Sequence, residues 1–179
     1  MNIKKFLPFE NYILTTRLPV MEVMKRLNDN IEIRKGLRFS QLNNNSYKPY
    51  EGQITSSSFK MSRIINYRNS FLPQITGEIT SYLGETQISI KMQPVTFVLI
   101  FMSFWLGTVG LVCLGILLAG LSQLPQLFRE GFSPFVLIPF AMFAFGSLLC
   151  SFAFKTEAKK SKAFLEQLLE GEDLADSRY

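Results

Sequence analysis

The sequence predicts a membrane α+β protein. A two-helix transmembrane hairpin is joined to a cytoplasmic antiparallel β-sheet domain with a short N-terminal helix and a C-terminal amphipathic helix. Three observations predict it. Between Lys91 and Lys155 the only charged residues are the adjacent Arg129 and Glu130. Ahead of Lys91, apolar and polar residues alternate with the two-residue period of strands. Beyond Lys155, apolar residues recur at helical spacing.

The uncharged stretches run from about Val95 to Leu121 and from about Phe132 to Phe154. A helix crosses the ~30 Å hydrocarbon core with ~20 residues at ~1.5 Å each, so either stretch is long enough. The chain then divides into a head (1–93), a first span (94–121), a short external loop (122–131), a second span (132–154), an amphipathic helix (155–171) and a disordered acidic tail (172–179). Residues 1–93 hold thirteen Lys/Arg against seven Asp/Glu. Lys91 precedes the first span, and Lys155, Lys159, Lys160 and Lys162 follow the second, whereas the loop offers only Arg129. The positive-inside rule places both termini in the cytoplasm, as in a bacterial inner membrane or its equivalent. Lys4 and Lys5 have no apolar run behind them before Glu10 and Asn11. No signal-peptide core forms there, and the first span is expected to act as the insertion signal.

In the head, Glu10–Leu18 reads as a strand. Pro19 suits the first position of a helix whose apolar face carries Val20, Val23, Met24, Leu27 and Ile31. Gly36–Tyr50 is polar and turn-rich, with one short strand expected near Leu37–Phe39. A meander follows in Gly52–Met92. Phe59, Met61, Arg63 and Ile65 share one face of its first strand, Ile75, Gly77, Ile79, Ser81 and Leu83 one face of the next, and Ile88, Ile90 and Met92 one face of the last. Gly84-Glu85 is expected to turn between the last two. The last strand runs almost directly into the first span through Gln93-Pro94, so the sheet is expected to stand close to the bilayer. After the spans, Ser161, Phe164, Leu165 and Leu168 line one side of the terminal helix with Leu169 on its shoulder, and Gly171 is the expected stop.

This order of elements is loosely similar to the helix-grip domains of the START and polyketide-cyclase type, with the hairpin inserted before the last helix. The chain also resembles two-span bacterial membrane proteins that carry a small cytoplasmic β-rich head. Neither resemblance implies an activity.

Candidate functional residues are few. The chain has no histidine, which removes the commonest general base, metal ligand and haem ligand. Cys113 and Cys150 both fall inside the spans, at depths too different for a disulfide, and read as small apolar fillers. Met102 and Met142 read as packing rather than metal ligands, so neither metal nor cofactor is expected. The segment around Arg63, Arg68, Asn69 and Ser70 has two readings. It is an anion or lipid-headgroup site, or a strand connection whose polar groups cap their own backbone while Tyr67, Phe71 and Leu72 close the core. In the spans, Ser103, Gly107, Gly110, Gly115 and Ala119, with Ala141, Ala144, Ser147 and Ser151, form small-residue stripes that let helices approach closely. They serve the hairpin itself, or a homo-oligomer or partner helix.

The spans contain no ionisable residue, which argues against transport by this chain alone. Basic residues in the head are interleaved with Glu22, Asp29, Glu32 and Glu51, which argues against nucleic acid and leaves the lipid bilayer and a protein partner. The expectation is a non-enzymatic membrane-anchored binding or scaffold module. The alternative is a lipid or apolar-ligand domain with a cavity between sheet and terminal helix. An enzyme would have to rest on Glu51, Glu78 or Glu85.

Overall fold

The computed structural model describes residues 7–33, 48–122 and 134–174. Among the described residues seven strands form one sheet: β1 (Glu10–Thr16), β2 (Ile31–Ile33), β3 (Tyr50–Ile54), β4 (Ser58–Arg63), β5 (Pro73–Tyr82), β6 (Glu85–Pro94) and β7 (Glu172–Asp173). The described helices are α1 (Val20–Asn30), α2 (Thr96–Ser122) and α3 (Ile138–Leu169), the last preceded by a 3₁₀ turn at Pro134–Leu137. The described residues up to Val95 and from Ala153 onward form one compact unit, and Thr96–Phe152 forms the other.

The strand order is β2-β3-β4-β5-β6-β1-β7. The sheet is mixed rather than wholly antiparallel, because β2 pairs with β3 in parallel. Ile31 explains the difference. It was expected to end the apolar face of α1, but the helix stops at Asn30 and Ile31 opens β2 while staying buried. The long connection from residue 34 to 49 gives the chain room to return in the same direction, which a tight turn would not. The strand expected near Leu37–Phe39 lies outside the described residues.

The meander follows its alternation. Phe59, Met61, Ile75, Ile79, Ile88, Ile90 and Met92 are buried on one face. The β5–β6 turn falls on Leu83-Gly84, one residue earlier than expected, since Tyr82 faces Glu85. Both turn residues have positive φ, 50° at Leu83 and 84° at Gly84. Two-residue hairpins favour this twist, and it is costless for glycine but not for leucine.

The apolar face is covered by Val23 and Leu27 of α1 and by the second half of α3. On that half Phe154, Ala158, Ser161, Leu165 and Leu169 are fully or almost fully buried, and Phe164 and Leu168 pack beside them. The buried stripe therefore runs through Leu169, with Phe164 and Leu168 on the shoulders. The Tyr50 and Phe164 rings lie 4.5 Å apart between sheet and helix. Phe154, Leu165 and Leu169 are buried beside them between sheet and helix.

The end of α3 is a Schellman-type stop. Glu170 takes the left-handed conformation at φ 48°, and the Gly171 amide donates to the Glu166 carbonyl at 3.1 Å. Gly171 is needed for closeness: a Cβ there would meet Leu14 Cγ at 2.7 Å. The Thr16 hydroxyl and the Arg26 guanidinium donate to the Leu169 and Leu168 carbonyls at 2.6 and 3.0 Å. The tail expected to be disordered from residue 172 is instead ordered at its start. Glu172 and Asp173 pair with Thr15 and Leu14, and Lys162 donates to Asp173 at 2.6 Å. That ion pair compensates the burial of Asp173 and holds so short a strand in place.

Two helical stretches, Thr96–Gly120 and Phe135–Leu169, are long and apolar enough by length and composition to cross a membrane. Their large apolar side chains point outward: Phe104 is 75% exposed and Phe152 76%. The external loop expected at 122–131 lies almost wholly outside the described residues. Pro139 sits in the first turn of α3, where its missing N–H is not required, so it begins the helix rather than bending it.

Candidate functional site

Strand register gathers one set of residues at a single end of the sheet. Pro73 faces Pro94, and Glu10 faces Met92, so the Pro94 end of β6 also holds the start of β1 and of β5. The connection from Arg63 to Pro73 belongs to this end, where Val95 leads into α2.

Arg63 is the last residue of β4 and continues the inward-facing row of Phe59 and Met61. At the end of a strand its stem can lie along the core while its guanidinium reaches outward. It meets Glu157, one turn beyond Phe154 on the buried side of α3. The Glu157 side chain is only 3% exposed, and three donors converge on it. Arg63 Nη1 donates to Oε2 at 2.7 Å, the Tyr67 hydroxyl to Oε1 at 2.6 Å, and Lys160 Nζ to Oε1 at 2.7 Å. Behind them the Tyr50 hydroxyl donates to Ser161 Oγ at 3.3 Å.

A carboxylate buried this deeply requires compensation. Burial is the largest single influence on Glu157 and works to raise its pKa. The hydrogen bonds from Lys160, Tyr67 and Arg63 together outweigh it and hold the carboxyl below the ordinary carboxylate value. The bond to Glu157 in turn raises Lys160, and with burial it raises the Tyr67 phenol. Glu157 balances one of its two cations, which leaves one positive charge in excess. Three of the roughly four lone-pair sites of the carboxylate are taken, two on Oε1 and one on Oε2, so the cluster holds a fixed, well-braced charge.

The residues singled out in the sequence separate here. Arg63 joins the Glu157 cluster. Asn69 turns inward on its own loop: its Oδ1 accepts from the Phe71 amide at 2.9 Å, an Asx turn. Arg68 and Ser70 are exposed in the same connection. Glu157, Tyr67 and Lys160 were not anticipated as a set. The available signal was position, since Glu157 follows Phe154 by three residues and precedes Ser161 by four on the face that seals the sheet.

The carboxylates considered for catalysis do not converge. Glu51 lies in the row of Ser62 and Gln74, while Glu78 lies in the row of Ser58 and Ser89, four residues or about 13 Å further along. Glu85 begins β6 at the opposite end of the sheet. There an open cleft of about 580 Å³ is lined by Thr15, Thr16, Arg17, Leu18, Glu85, Glu170, Glu172 and Leu174. Among the described residues no three His, Cys, Asp or Glu side chains come together as metal ligands.

The hairpin helices meet through two rings set into glycine notches. Trp105 occupies the position a Cβ of Gly146 would take, and Phe143 lies 3.3 Å from that of Gly110. Gly107 and Gly115 face open space, and Ser103, Ala119, Ala141 and Ala144 are exposed. Ser147 and Ser151 are half-buried. Of the expected small residues, Gly110 thus joins the contact, and Gly146 was not anticipated. Cys113 and Cys150 are buried free thiols.

No protein-family model matches the chain, and no curated protein or solved structure is significantly similar to it.

Proposed function

We propose that this chain is an integral membrane protein whose two-helix hairpin anchors a non-enzymatic binding or scaffold head on the cytoplasmic side. One observation carries the reading. Two long apolar helices leave most of their residues exposed or half-buried, with only 6% of each apolar window buried, while the head has a core of its own. In water such surfaces would drive aggregation, and lipid is the solvent that suits them. The helix α3 belongs to both units: its first half is apolar all round, and its second half seals the sheet. The head is thereby part of the anchor's own chain path rather than a tethered appendage.

The cationic residues beside the spans support cytoplasmic termini. Membranes expressing the full chain are treated with alkaline carbonate, and reporters are fused at Met1 and at Tyr179. The reading predicts that the chain stays in the pellet and that both reporters act on the cytoplasmic side. Release by carbonate, or reporters on opposite sides, would refute it.

A further inference from the structure

The Glu157 cluster is over-provided with positive charge, and its surroundings add more. Lys160 and Tyr67 remain about half exposed while bonded to Glu157, at 51% for the lysine side chain and 50% for the tyrosine. Arg68 stands exposed next to Tyr67. Of the acids near this end, Glu157 holds three donors and Glu10 accepts from Lys155 at 2.5 Å, while Glu51, which pairs with Ser62 and Glu32, alternates to the face opposite Tyr50 and the Glu157 cluster. Two exposed apolar residues, Phe9 and Val95, flank the same end. Counted along α3, Glu157 and Lys160 follow the exposed Phe152 by about 7 and 12 Å. With Phe152 at the edge of the hydrocarbon, Glu157 stands at the outer limit of a polar layer about 5–7 Å thick per leaflet, and Lys160 lies about 5 Å further out, within reach of its own long side chain. A tyrosine with an anchored hydroxyl and an open ring suits this depth.

Resting on the membrane reading above, we infer that Arg68 and Lys160, braced by the Tyr67–Glu157–Arg63 cluster, bind the phosphate of an anionic phospholipid headgroup. Glu157 fixes Lys160 and Tyr67 in place without cancelling the site's charge. Arg68 supplies the planar donor pair that suits phosphate oxygens. The opposite end of the sheet, where Glu85 and Glu172 line the cleft, offers no such surplus.

The test uses the full chain in detergent, titrated with phosphatidylglycerol or phosphatidylcholine and read by native mass spectrometry. Phosphatidylglycerol is expected to bind at least tenfold more tightly. Each cation removed should cost about fivefold. R68Q leaves every Glu157 contact intact and is expected to lose about that factor, and R68Q/K160Q, with its fold checked by circular dichroism, should lose the preference. R17Q at the far end of the sheet should change nothing. Equal binding of the two lipids overturns the inference, as does a preference that survives in R68Q/K160Q. So does full displacement by soluble glycerol phosphate, which would indicate a soluble-anion site. A chain that resists carbonate extraction yet ignores phosphatidylglycerol overturns this site alone. A chain released by carbonate overturns the membrane reading beneath it.

Discussion

Phe152 and Phe154 stand two residues apart on one helix, yet the first is 76% exposed and the second fully buried. Nothing in their side chains distinguishes them. Phe152 belongs to the stretch of α3 that shows apolar surface on nearly every side, and Phe154 opens the stripe that seals the sheet. The contrast teaches that hydrophobicity alone does not locate a residue. The first half of α3 carries its apolar residues all round, as a helix does in lipid. The second half keeps them to one stripe and places Lys159, Glu166 and Gln167 elsewhere, as a helix does against a protein core. The boundary lies between Phe152 and Ala153, just ahead of the first charge at Lys155.

The largest effect should come from this pair. Phe154→Ala removes a fully buried ring and is expected to destabilise the head by about 3–5 kcal/mol. Phe152→Ala should change head stability by less than about 0.5 kcal/mol. Amide hydrogen exchange of β5 and β6 in the full chain measures both. Equal effects would break the contrast.

Glu157 comes next, as the charge buried just past the boundary. Glu157→Gln removes the charge and turns one of the two acceptor oxygens into an NH2 donor, so Arg63 and Tyr67 cannot both keep their acceptor, and it should cost about 2–3 kcal/mol. Its folded pKa is depressed. The stabilisation is therefore fully present above the unfolded carboxyl value of about 4.3 and is lost as pH falls through the lower folded value. Denaturant titrations at stepped pH should show the wild-type advantage over the variant shrinking only in acid.

Within the hairpin, Gly146→Leu displaces Trp105 and should weaken helix pairing by about 1–3 kcal/mol, while Gly107→Leu, facing open space, should not. Resistance to unfolding by SDS reads the difference. The smallest effect is a gain: Leu83→Asn at φ 50° should stabilise the β5–β6 hairpin by up to about 1 kcal/mol, seen as a higher Tm.

The elements that were legible in the sequence were those with a long, repeated signal. Ile75, Gly77 and Ile79, like Ile88, Ile90 and Met92, mark one sheet face through several periods, and the uncharged runs need no periodicity to be noticed. Three features gave no such signal. Ile31-Glu32-Ile33 is too short to show a strand period, and its first residue was in phase with the preceding helix. Glu172-Asp173 is two residues long, and the Lys162 side chain that meets Asp173 comes from eleven residues earlier in the sequence. Glu157 was passed over because charged residues are read as solvent-facing by default. Its burial depends on Arg63 and Tyr67 arriving from the sheet. The candidate site was legible by halves: the segment holding Arg63 and Arg68 stood out as cationic, but the carboxylate that organises it lies some ninety residues away in the chain.

Trp105, the chain's single tryptophan, offers the most direct measurement of the membrane reading. It lies about 13 Å along α2 from Thr96, which is mid-bilayer depth for a spanning helix. In vesicles of lipids brominated along their acyl chains, the account predicts strong quenching of its fluorescence, greatest for bromine deep in the chain, with little quenching by aqueous acrylamide. Efficient acrylamide quenching with no response to the brominated lipids would contradict it.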